Sequence, residues 1–137
     1  MNIVLDTNVL LVSISTRSSS NWVFQQLVEG GYMLSVTTDI LDEYTEIIEQ
    51  QMGADFAQAV VDLLVDLPNL NQINKYYFWQ LIEADPDDNK FVDYVIAANA
   101  DYIVSEDRHF RILKNIEFPK VEVLTIEEFK AVLLVSE

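Results

Sequence analysis

Short apolar runs that stop abruptly on acids set the plan of this chain. Ile3-Val4-Leu5 ends on Asp6, and Tyr102-Ile103-Val104 is followed by Ser105-Glu106-Asp107. Runs of this length, bounded by polar residues, read as buried strands. An acid at the end of an early strand sits at the edge where open α/β sheets keep their active sites.

The remaining elements follow the same rhythm. Residues 2–6 read as the first strand. A serine-rich polar break spans 13–21 and carries Arg17. Residues 22–29 read as a helix stopped by Gly30-Gly31. Residues 32–36 form a second strand, after which Thr38 or Asp39 caps a helix running to about 51. A helix over 54–67 ends at Pro68-Asn69, and 70–73 is a short strand. Residues 75–84 read as a helix and are aromatic-rich. Asp85-Pro86-Asp87-Asp88 starts a helix that continues over 91–100. A strand over 102–105, a short helix over 107–113 and a last strand over 121–124 follow. Thr125 and Glu128 form a capping box for the final helix. Strands alternating with helices imply one domain over residues 1–137, an α/β three-layer sandwich with a central parallel sheet of about five strands.

Composition narrows the chemistry. The chain has 137 residues, half of them hydrophobic, which suits one folded domain. It has no cysteine and one histidine, which excludes thiolate metal sites and most two-histidine chemistry. A metal would need oxygen ligands, favouring Mg²⁺ or Mn²⁺. No apolar run is long enough to cross a bilayer, and the N-terminus lacks a signal-peptide layout, so a cytoplasmic protein is expected. The net charge of −15 opposes passive nucleic-acid binding and suits either a basic protein partner or plain solubility.

Four acids stand out. Asp6 ends the first strand. Glu43 lies at the edge of the apolar face formed by Ile40, Leu41, Tyr44, Ile47 and Ile48. Asp88 aligns with Phe91, Val92 and Val95 at helical spacing, placing it on the buried side of a helix start. Asp93 falls on nearly the opposite side of that wheel. Asp107 follows the fourth strand. Each has an ordinary reading, as a surface glutamate or a helix cap. Jointly, parallel topology brings strand ends and helix starts to one edge. Carboxylates packed there would raise one another's pKa unless a divalent cation neutralised them. Such a cation can activate water for phosphodiester cleavage. Asn8 and Ser105 are candidates to orient a carboxylate or a metal-bound water.

These segments resemble the PIN-domain ribonucleases. The matching stretches are Ile3-Val4-Leu5-Asp6-Thr7-Asn8-Val9-Leu10, Thr38-Asp39-Ile40-Leu41-Asp42-Glu43-Tyr44, Asp85-Pro86-Asp87-Asp88-Asn89-Lys90-Phe91-Val92-Asp93 and Ala100-Asp101-Tyr102-Ile103-Val104-Ser105-Glu106-Asp107. The likeness is greatest to toxin components of type II toxin–antitoxin pairs. It implies a parallel sheet flanked by helices and Mg²⁺- or Mn²⁺-dependent hydrolysis of single-stranded RNA. It also implies that Asp6, Glu43, Asp88 and Asp107 are the catalytic metal ligands. Some members carry the third acid just before an Ile-Ala-Ala run, which here selects Asp93. An antitoxin with a basic segment is the partner the resemblance suggests.

Other features have competing readings. Arg108, His109, Arg111 and Lys114 form a basic cluster after Asp107, either a phosphate contact or a solvated face. Arg17 is a phosphate contact in a mobile loop or part of a plain surface loop. Tyr76-Tyr77-Phe78-Trp79 is mostly core, with one face available for a homodimer or an antitoxin. Two alternatives to a ribonuclease stand. One is a catalytically silent PIN scaffold. The other is a phosphatase of haloacid-dehalogenase type, disfavoured because position 8 is Asn where that chemistry needs a second Asp.

Overall fold

β1 (Asn2–Leu5) lies at the centre of a five-stranded parallel sheet of order β3-β2-β1-β4-β5. The other strands are β2 (Met33–Val36), β3 (Leu70–Gln72), β4 (Tyr102–Val104) and β5 (Val123–Leu124). The coordinates are a computed structural model, and the structure describes residues 1–73, 92–93, 95–96, 98–115 and 121–136. Ile3, Val4 and Leu5 pair with Tyr102, Ile103 and Val104, and Asn2 and Ile3 pair with Met33 and Leu34 on the other side. Ile3, Val4, Leu5, Leu34, Ile103 and Val104 are completely buried. That is the pattern of parallel strands covered on both faces.

The helices follow their local signals. α1 (Thr7–Ser13) starts directly from β1, with Asp6 at its N-cap. α2 (Asn21–Val28) is followed by Gly30 at φ 85°, a left-handed position that glycine takes without strain. α3 (Thr38–Met52) is capped by Thr37, whose hydroxyl accepts from the Ile40 amide at 3.3 Å. The cap is therefore one residue earlier than expected. Gly53 (φ 94°) separates α3 from α4 (Ala54–Asp66). Val92, Asp93, Val95 and Ile96 are helical, and Asn99 adopts φ 52° in the turn that follows. A 3-10 helix covers Arg108–Asn115, where a short helix was expected. At α5 (Ile126–Ser136) the capping box forms as expected. The Thr125 amide donates to Glu128 Oε1 at 2.9 Å, and the Glu128 amide donates to Thr125 Oγ1 at 3.1 Å.

α1 is the element the sequence reading missed. Its seven residues give the helical period little room. The aromatic run over 76–79 and the helix start over 85–88 lie outside the described residues.

α5 is tied to the body by aromatic packing. Phe129 is fully buried, with its ring 5.1 Å from Tyr32 and 5.6 Å from Trp22. Lys130 Nζ lies 5.9 Å from the Trp22 ring centre. Phe129→Ala is expected to cost about 3–5 kcal/mol. Val135→Ala, at a side chain 88% exposed, is expected to change stability by less than about 0.5 kcal/mol. Urea denaturation of the two variants checks both values.

Candidate metal centre

The strand order reverses between β1 and β4. From β1 the chain builds outward through β2 to β3, then returns to the other side for β4 and β5. Ligand sites of parallel sheets form at such a reversal, beyond the carboxyl ends of the strands. Asp6 leaves β1 there, and Ser105 and Asp107 leave β4 beside it.

Hydrogen bonds join these residues directly. The Asp6 amide donates to the Val104 carbonyl at 3.0 Å, extending the ladder to the last residue before α1. The Ser105 hydroxyl donates to Asp6 Oδ2 at 2.9 Å and accepts from the Asp107 amide at 3.0 Å. Asp107 Oδ1 accepts from the His109 amide at 2.9 Å, and His109 Nδ1 lies 3.5 Å from the same oxygen. Asp107 is therefore a cap of the 3-10 helix as well as a member of this group. Glu106, its neighbour, accepts from the Ile126 amide at 2.7 Å and serves the start of α5.

α3 reaches the same point from the other side. Glu43 is half-buried at the edge of the apolar face, as the wheel required, while Asp42 and Glu46 are exposed. The Thr7 hydroxyl donates to Glu43 Oε2. Tyr44 is fully buried, and its hydroxyl donates to the Leu5 carbonyl at 2.6 Å. Sequence reasoning chose Asn8 as the polar helper in this segment. Asn8 is exposed, and buried Thr7 makes the contact with an acid instead.

Burial and charge act together on Asp6, which is 7% exposed. Desolvation holds its carboxyl above the ordinary value of 3.8, and the nearby carboxylates of Asp107 and Glu43 push the same way. The Ser105 hydroxyl and the Thr7 amide offset part of this. Burial, with the Asp6 charge second, also drives the Tyr44 phenol well up, so it remains a hydrogen-bond donor.

The other candidates divide. Asp93 is 1% exposed, between Val92 at 0% and Val95 at 3%. The wheel placed it opposite the apolar stripe, yet it points inward, so helix periodicity misjudged its face. Asp88 lies outside the described residues, as do the side chains of Arg111 and Lys114. Arg108 and Arg17 are exposed. Among the described residues, no three acids or histidines close into a set that would hold a metal ion as placed. The donor chemistry nevertheless suits a hard divalent cation. Asp6, Glu43 and Asp107 offer only carboxylate oxygen, and the buried Asp6 carries a charge that its surroundings disfavour.

A PIN-domain family model matches residues 2–109. No curated protein matches the chain. Among solved structures, VapBC2 from Rickettsia felis, bound to a DNA fragment from their promoter, is similar in fold. The TM-score is 0.62 over 91% of this chain and 98% of that chain, at 16% identity. Among the described residues, no helix is long and apolar enough to cross a membrane.

The raised Asp6 carboxyl has a defined sign for stability. The native state holds that proton to higher pH than the unfolded chain does. The Asp6 contribution therefore falls as pH rises from near 3.8 through the raised native value, and stays unfavourable above it. Asp6→Asn removes the cost. In metal-free buffer the variant is expected to be more stable than wild type at pH 7, with the difference shrinking toward pH 4. Denaturation curves across that range measure it, and an Asn variant less stable at pH 7 contradicts the burial argument.

Proposed function

This chain belongs to the PIN-domain family, and from that premise we propose that it is a Mg²⁺- or Mn²⁺-dependent endoribonuclease acting on single-stranded RNA. The observation that carries this is the buried Asp6 carboxylate at the reversal between β1 and β4, with Asp107 and Glu43 close enough to perturb it. In this reading Asp6, Glu43 and Asp107 hold the cation. Asp88 is the fourth ligand by sequence, and the burial of Asp93 supports that residue as the alternative.

A divalent cation bound there would lower the pKa of a water and neutralise charge developing at the scissile phosphate. The protein's own task is orientation. The Asp107 amide points at Ser105 Oγ, which turns the Ser105 proton toward Asp6 Oδ2. Asp6, oriented in this way, would offer its carboxylate to a bound cation. Arg108, exposed beside Asp107, and Arg111 and Arg17 are the proposed phosphate contacts, sparse enough to release product from a chain of charge −15.

The same charge makes a basic segment the fitting inhibitor. We assign the chain as the toxin of a toxin–antitoxin pair working in the cytoplasm, a reading that its likeness in fold to VapBC2 supports. Association of two copies is part of the proposal only through the aromatic run at 76–79.

Incubation of a labelled single-stranded RNA with the protein, with Mn²⁺ or with EDTA, tests the activity. Cleavage is expected only with the metal. Asp6→Asn or Asp107→Asn should reduce it by at least about 100-fold, and Ser105→Ala by about 10- to 100-fold. Intact RNA with wild type, or cleavage undiminished in Asp6→Asn, refutes the mechanism.

A further inference from the structure

Asp6 is held at the turn between β1 and α1, and α3 grips that turn on both flanks. Adjacent residues of α3 make the two contacts. Tyr44 donates to the Leu5 carbonyl at 2.6 Å, one residue before Asp6. Glu43 accepts from the Thr7 hydroxyl, one residue after it. The Asp6 amide is held by the Val104 carbonyl at 3.0 Å, and its own carbonyl accepts from the Leu10 amide at 3.1 Å. The backbone carrying Asp6 is thus fixed by β4 on one side and by α3 on the other.

The two α3 contacts differ in kind. Glu43 is itself a proposed ligand, so its carboxylate would serve both Thr7 and a cation. Tyr44 has no such second duty. It is fully buried, and its bond ends on a main-chain atom. Its contact with the Asp6 turn is therefore separate from the proposed ligand set.

We propose that Tyr44 is a positioning residue for the metal centre: its hydroxyl, bonded to the Leu5 carbonyl, fixes the turn that aims Asp6. The metal part of this inference rests on the proposed function; the fixing of Asp6 does not.

A second tyrosine supplies the control. Tyr32 is 2% exposed and its hydroxyl donates to the Val23 carbonyl at 2.7 Å, a bond that involves neither Asp6 nor its flanking residues. Tyr44→Phe and Tyr32→Phe each remove one buried phenol-to-carbonyl bond, so their losses of global stability should be similar. Hydrogen exchange of the metal-free proteins separates them. In Tyr44→Phe the Asp6 amide should exchange at least about tenfold faster, relative to the β4 amides, than in wild type. In Tyr32→Phe that ratio should be unchanged. Mn²⁺ calorimetry then reads the consequence: affinity about tenfold weaker in Tyr44→Phe and unchanged in Tyr32→Phe.

An Asp6 amide equally protected in both variants overturns the proposal, whatever the metal does. A loosened Asp6 amide in a protein whose wild type binds no Mn²⁺ leaves Tyr44 as the support of Asp6 and rejects the metal reading instead. A loosened amide with wild-type Mn²⁺ affinity rejects the link between the two.

Discussion

The pairing of β1 with β4 is the constraint on which the rest depends. These strands are neighbours in space and about a hundred residues apart in sequence, joined in register at Ile3–Tyr102, Val4–Ile103 and Leu5–Val104. Loop closure over that span is entropically costly, and the buried strand residues must offset it. Once the pair forms, Asp6 and Ser105 emerge side by side and the Ser105–Asp6 bond follows. A one-residue slip would turn Asp6 away from Ser105 and put the core side chains on the wrong face.

Around that pair the fold accepts a local cost. A carboxylate 7% exposed, with two more acids nearby, is an unfavourable thing to build into a sheet edge. Two features limit the damage. Hydroxyl and amide donors from Ser105 and Thr7 face Asp6, and the backbone around it is bonded on every side. Departures from ideal local economy of this kind cluster at functional sites. That is why the acidic group carries more weight than net charge in the functional reading.

Much of this was legible from the residues. The buried strands announced themselves through Ile3-Val4-Leu5 and Ile103-Val104, since apolar β-branched runs of that length have few other uses. Glu43 was placed correctly because the fifteen residues of α3 give the wheel enough turns to average over. The same tool failed at Asp93, where only Phe91, Val92 and Val95 set the phase. Helix α1 was invisible for a related reason, being seven residues long and starting directly after the acid already read as a site residue. The contact of Thr7 with Glu43 went unread because no local pattern says which of two adjacent polar residues turns inward. Tyr44 could be seen as core, but its bond to Leu5 spans 39 positions and has no local trace.

The central claim is that these carboxylates share one divalent cation at the reversal between β1 and β4. The most direct measurement is an anomalous difference map from crystals soaked in Mn²⁺. The account predicts a peak at about 2.0–2.2 Å from a carboxylate oxygen of Asp6, with Asp107 or Glu43 in the same coordination shell. No peak at Asp6 under saturating Mn²⁺, or a peak held only by surface acids elsewhere, contradicts it.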